Sequence, residues 1–206
     1  QASAVKYGFP SVHVLKKTVA LKIKEYILSG GFLFAMCSAT DSFDIALAAQ
    51  NVDIVGTVYD GSSIDPNYHE KMDFSNSIAF ENYNLYTNPM TYEYSTIDVP
   101  PSHRPITKGA EADYFTLFEF SAKWDPVPTM LTQNHVAVVN GFMGQTTGFD
   151  RSTLKNHILI MGEVENDNLV KYIHGNAGKG TITFLGGHDP EDYRHFVGDP
   201  ATDLSL

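Results

Sequence analysis

The stretch Ser29-Gly30-Gly31-Phe32-Leu33-Phe34-Ala35-Met36-Cys37-Ser38-Ala39-Thr40-Asp41 decides how the rest of the chain is read. Phe32 to Met36 is apolar at every position. A strand apolar on both faces belongs in the middle of a covered sheet, not on a half-exposed one. It ends at Cys37, the only cysteine in 206 residues. Upstream, Val12, Leu15, Val19, Ile23, Tyr26 and Ile27 recur at helical spacing, which predicts a helix from about Ser11 to Leu28. Ser11 is its N-cap and Gly30-Gly31 its stop. Downstream, Ser38 to Asp41 are small or capping residues. Phe43, Ala46 and Leu47 then keep helical spacing to about Gln50. Helix, buried strand, sharp turn and helix in succession form a unit of a parallel α/β sheet. In such sheets functional groups collect at the carboxyl ends of the strands, which is where Cys37 lies.

Further along, Ile54 to Val58 reads as a short strand, and residues 59–112 as a loop-rich or β-hairpin insertion dense in Asn, Tyr, Ser and Pro. Within it, Ile78-Ala79-Phe80 and Asn84-Leu85-Tyr86 resemble short strands. Tyr114 to Phe120 suits a strand. Trp124 to Pro128 turns the chain, and Thr129 to Leu131 begins another element. His157 to Met161 is apolar, and Leu169 to His174 can pair with Thr181 to Leu185 across the turn Gly175 to Gly180. The length suits one α/β domain over 1–206 carrying the insertion. Because the sequence opens at Gln1, without an initiator Met, it is read as a piece of a longer chain.

Composition removes whole classes of function. Lys and Arg total 14 against 24 Asp and Glu, a formal charge of −10, so the basic field that draws nucleic acid is missing. One cysteine excludes an internal disulfide, a Cys-rich zinc module and a Cys-x-x-Cys pair. No apolar run approaches the roughly 20 residues of a membrane-spanning helix. Cytoplasm and periplasm both stay open. The turn Gly175 to Thr181 lacks the spacing and the following helix of a phosphate loop. His188, Asp189, Asp192 and His195 have the right ligand chemistry for a metal but no marking spacing. No metal or cofactor is expected, and the partner is a small-molecule substrate.

Cys37 is the sharpest candidate. A nucleophile at a strand-to-helix elbow needs small neighbours, which Ser38 and Ala39 provide, and its thiolate gains from the amides of the following helix. The competing reading is an inert buried thiol. A thiolate nucleophile needs a base, and the base needs an orienting carboxylate. His188 follows an apolar run and two glycines, so it too lies at a strand's carboxyl edge, with Asp189, Glu191 and Asp192 close by. The competing reading there is a surface turn, Asp189 closing an Asx turn before Pro190. Ser38 and Asp189 are the nearest candidates for touching substrate. Six tyrosines (Tyr59, Tyr68, Tyr83, Tyr86, Tyr92, Tyr94) alternate with asparagines in the insertion. They form either a sugar- or peptide-binding surface or the cross-strand pairs of a small β subdomain.

The elbow segment, and the tail from Tyr172-Ile173-His174-Gly175 through Gly186-Gly187-His188-Asp189-Pro190-Glu191, resemble the class I glutamine amidotransferase-like superfamily and its ThuA-like branch. Bacterial proteins, chiefly from Bacteroidetes and labelled asparagine synthetase B, are similar over almost the whole chain. The resemblance implies a flavodoxin-like three-layer α/β fold. In catalytic relatives it also implies a Cys-His-Glu triad that hydrolyses an amide, with Cys37 as nucleophile, His188 as base and Glu191 as acid. Two residues separate His188 from Glu191 where amidotransferases have one, and Ala39 stands where their elbow has glycine. The expected function is a Cys-dependent hydrolase or amidotransferase acting on a small amide. The alternative is a non-catalytic ligand-binding or interaction module on the same fold.

Overall fold

The computed structural model describes residues 2–88, 90, 94–98, 114–117, 138–140, 148–164 and 167–187. The helices are α1 (Ala2–Lys6), α2 (Val12–Leu28), α3 (Ser38–Ala48), α4 (Thr57–Asp60) and α5 (Tyr68–Lys71). The strands are β1 (Phe32–Met36), β2 (Tyr114–Leu117), β3 (Val138–Asn140), β4 (Phe149–Asp150), β5 (Leu159–Glu163), β6 (Leu169–Ala177) and β7 (Gly180–Leu185). They form a mixed sheet in the order β1-β7-β6-β5-β2-β3, with β4 pairing β6. Among the described strands only β1 and β7 run parallel, with Met36 opposite Leu185, so their carboxyl ends lie side by side.

The limits of α2, β1 and α3 follow the sequence reading closely. The Ser11 hydroxyl accepts from Val14 N and starts α2, and Gly30 takes the positive φ of 118° that lets the chain leave it. The hairpin tip is built against that helix end. Leu28 O accepts from Lys179 N at 3.1 Å, which satisfies a carbonyl the helix leaves open, and Gly31 O accepts from Thr181 N at 3.1 Å where β1 begins to pair β7. The approach is close: a Cβ on Gly180 would sit 2.1 Å from the carbonyl oxygens of Ile27 and Gly31. The turn itself is the two residues Gly178-Lys179, tighter than the six-residue turn predicted. Both strands therefore extend, with Ala177 paired to Gly180.

Three expectations are corrected. First, β1 lies at one end of the described ladder, not in the middle of a parallel sheet. Phe32 and Met36 are 41% and 37% exposed. An apolar run is covered only where both of its edges and faces find neighbours, and among the described residues β7 alone pairs with it. Second, residues 54–58 are not a strand. The Asp53 carboxylate accepts from Val55 N at 2.9 Å, Asp53 N donates to Asp65 at 3.0 Å, and Gly56 then begins α4. These local bonds take the donors a ladder would have used. Third, the segments around Phe80 and Leu85 are isolated bridges, to Leu154 and Ser95, rather than strands. The amides of Ile78, Ala79 and Phe80 are taken by one carboxylate, that of Asp44. Residues 118–131, including the predicted turn at Trp124, lie outside the described residues.

The core joins α2, α3 and the loop at 78–80 to the face of β7 that carries Ile182 and Phe184. Phe184 stacks on Phe80 at 6.2 Å and meets the edge of Phe43 at 6.4 Å, and Phe80 also packs on Phe149 at 5.2 Å. Burying each such ring contributes roughly 1.5–3 kcal/mol. Among the described residues no helix is long and apolar enough to cross a membrane.

Candidate active site at the Cys37 elbow

β1 delivers Cys37 to the sheet edge, and the Cys37 amide makes the last ladder bond, to Leu185 O at 3.1 Å. The chain then has to reverse direction into α3 within one residue. Cys37 does this at φ 56° and ψ −143°, one of two non-glycine residues with positive φ among those described. That region is almost reserved for glycine and costs of order 1–3 kcal/mol elsewhere. The neighbours hold it: the Cys37 carbonyl accepts from Thr40 N at 3.1 Å and from the Thr40 hydroxyl at 2.7 Å. Cys37 is half-buried and free of any disulfide. Ser38 and Ala39, half-buried and exposed, occupy the first two positions of α3, whose amides have no intrahelical acceptor.

β7 reaches the same edge alongside β1. Beyond Leu185, Gly186 N donates to Lys171 O at 2.7 Å, and Gly187 turns at φ 100°. The register therefore brings Gly186 and Gly187 next to Cys37. His188, Asp189 and Glu191, together with Asp192 and His195, lie outside the described residues. Of the predicted site residues, the structure places Cys37 and Ser38.

Beneath the elbow sits a group of buried acids that the sequence reading did not single out. Asp41, in the first turn of α3, is fully buried. Its Oδ1 accepts from Ser42 N at 2.8 Å, and its Oδ2 has no hydrogen-bond partner among the described residues. Burial, and then the nearby charge of Asp98, push its carboxyl up to about 8, so it is protonated at neutral pH. Asp44, one turn on, is also fully buried, and burial raises it as well. Against that shift stand three amide bonds, each 2.7 Å, from Ile78, Ala79 and Phe80. Tyr83 is buried beside them, its hydroxyl unbonded among the described residues, and burial followed by Asp44 and Asp41 raises its phenol. The sequence did hold a signal. Positions 37, 41, 44 and 48 fall on one helical stripe, and the apolar pattern hid it because two of the four are aspartates.

On the other side of α3, Ser38 and Ser42 line a groove of about 920 Å³, shared with α2 and with Tyr59, Tyr86 and Tyr94 of the insertion. Half of the tyrosines noted in the sequence thus border a cavity next to the elbow. Tyr83 instead belongs to the core, packed edge-on against Phe74 at 4.8 Å. Among the described residues no group of three or more His, Cys, Asp or Glu is arranged to hold a metal ion. Comparisons with protein families, with curated proteins and with solved structures gave no match to the chain.

Proposed function

We propose that the chain is a Cys-dependent hydrolase or amidotransferase acting on a small amide. Within that class we assign it to the class I glutamine amidotransferase-like superfamily, ThuA-like branch, with the flavodoxin-like architecture of that group. One observation carries the reading: Cys37 sits at a strained elbow at the carboxyl end of β1, in register with the end of β7, whose Gly186-Gly187 leads directly into His188.

In the proposed chemistry His188 takes the Cys37 proton, and the sulfur attacks the amide carbon. The negative charge that forms on oxygen is met by the first-turn amides of α3. The C–N bond breaks as His188 returns the proton to the leaving amine. Water, deprotonated by the same ring, then cleaves the thioester and restores the thiol. Glu191 or Asp189 orients His188, and Ser38 borders the substrate.

Mild iodoacetamide treatment at neutral pH, followed by mass spectrometry, tests the reading. Cys37 is expected to alkylate faster than free cysteine, and a rate no faster than free cysteine contradicts it. The groove lined by Tyr59, Tyr86 and Tyr94 favours a second reading, a ligand-binding module without catalysis. In that case ligand-induced thermal stabilisation survives Cys37→Ala, and its loss in that variant for every ligand found tells against the module.

A further inference from the structure

The side chains that line the groove are basic although the chain as a whole is acidic. The sequence has 24 acidic side chains against 14 basic ones, yet the described lining contains Lys16, Lys17 and His13 from α2 and no carboxylate. Three acids stand behind this wall and offset part of its charge. Asp53 accepts from Val55 N and Ser62 Oγ and lies 3.5 Å from His13 Nε2. Asp60 is held by Ser62 and by Val12 N, and Asp65 by Asp53 N and Lys71. Lys17 is committed as well, donating to Gln50 O at 3.1 Å and Val52 O at 3.3 Å. Two groups on this wall are left over. Lys16 is exposed and makes no ion pair among the described residues, and His13 Nδ1 is buried without a hydrogen-bond partner among them. The floor is apolar, from Ile45, Ala49, Val52 and Ile54, and the rings of Tyr59, Tyr86 and Tyr94 border it.

We propose that this groove binds an organic carboxylate with an aromatic or alkyl body. The body lies on the apolar floor between the tyrosine rings, and the carboxylate sits beside Lys16. An apolar floor supplies affinity without direction, and a small number of placed polar groups fixes orientation, which is the usual composition of a small-molecule site. The inference concerns the groove alone and holds whether or not Cys37 is a nucleophile.

Isothermal titration with 4-phenylbutyrate and with the uncharged 4-phenylbutan-1-ol provides the test. The carboxylate is expected to bind roughly five-fold more tightly than the alcohol, a gap of the size an exposed ion pair supplies and one that narrows in high salt. Lys16→Glu removes the preference and Tyr86→Ala weakens both ligands, while Lys22→Glu, on the same helix outside this groove, changes neither. Cys37→Ser binds as the native chain does. Equal binding of acid and alcohol, a preference unchanged in Lys16→Glu, or no binding of either at millimolar concentration overturns the proposal. A reactive Cys37 with no binding tells against the groove alone, and binding with an unreactive Cys37 tells against the nucleophile alone.

Discussion

Cys37 bears a conformational cost that glycine in its place would not. Glycine adopts φ 56° freely, so Cys37→Gly is expected to leave the fold as stable as before or to stabilise it by up to about 1 kcal/mol, whereas Cys37→Val destabilises it. Urea unfolding of the two variants checks this. Asp41 carries a second prediction at the same scale. Its carboxyl stays protonated in the fold up to about pH 8, whereas in the unfolded chain it ionises near 3.8. The unfolded state therefore binds fewer protons in that window. Stability contributed by Asp41 is complete below about pH 4, falls as pH rises to 8, and levels off above. Asp41→Asn should flatten that slope and stabilise the chain at pH 7 by roughly 1–3 kcal/mol, read from urea midpoints across pH. The address of Cys37 was legible in the sequence because an apolar run, a small-residue turn and a helical pattern all point at one position. The role of Asp41 was not legible. An aspartate three residues into a helix reads as a favourable first-turn charge, and only the packing of α3 on the sheet shows that it is buried and uncharged.

Elements are held together here by backbone groups given away at their ends. Asp44 joins α3 to the loop at 78–80 through three buried amides, so Asp44→Ala leaves those donors unpaired and should cost roughly 3–5 kcal/mol in urea unfolding. The hairpin tip meets the end of α2 so closely that Gly180→Ala forces two backbones apart. Gly61→Ala, at φ 82° in open space, meets only the backbone penalty of about 1 kcal/mol. Thermal unfolding should place Gly180→Ala well below Gly61→Ala. Helix α2 shows how far periodicity reaches. Its expected span, about Ser11 to Leu28, matches Val12–Leu28 with Ser11 as N-cap, yet of its apolar stripe Val19 and Tyr26 are 49% and 58% exposed while Ile27 is buried. Leu15, Val19, Ile23 and Tyr26 of the stripe line a shallow apolar trough with Tyr7 and Phe9, while Ile27 joins the core. Periodicity tells that a helix has an apolar face; what covers that face is decided by the rest of the molecule.

At the scale of the whole molecule, one parallel pair, among described strands that otherwise pair antiparallel, sets the candidate site. A parallel neighbour is what brings the end of β1 and the end of β7 to one edge, and the sequence held both ends as apolar runs closing on Cys37 and on Gly186-Gly187. The order of the remaining strands was not legible, since hairpin pairing between distant segments leaves no local signature. The same edge borders the groove through Ser38, so the Cys37 elbow and the groove adjoin one another. The central claim is that Cys37 and His188 meet there. The most direct measurement is the distance from Cys37 Sγ to the nearer His188 ring nitrogen in a crystal structure. The account predicts hydrogen-bond reach, within about 4 Å with allowance for loose geometry in the free state. A Cys37 sulfur sealed among apolar side chains, with the His188 ring turned away from it, would contradict the account.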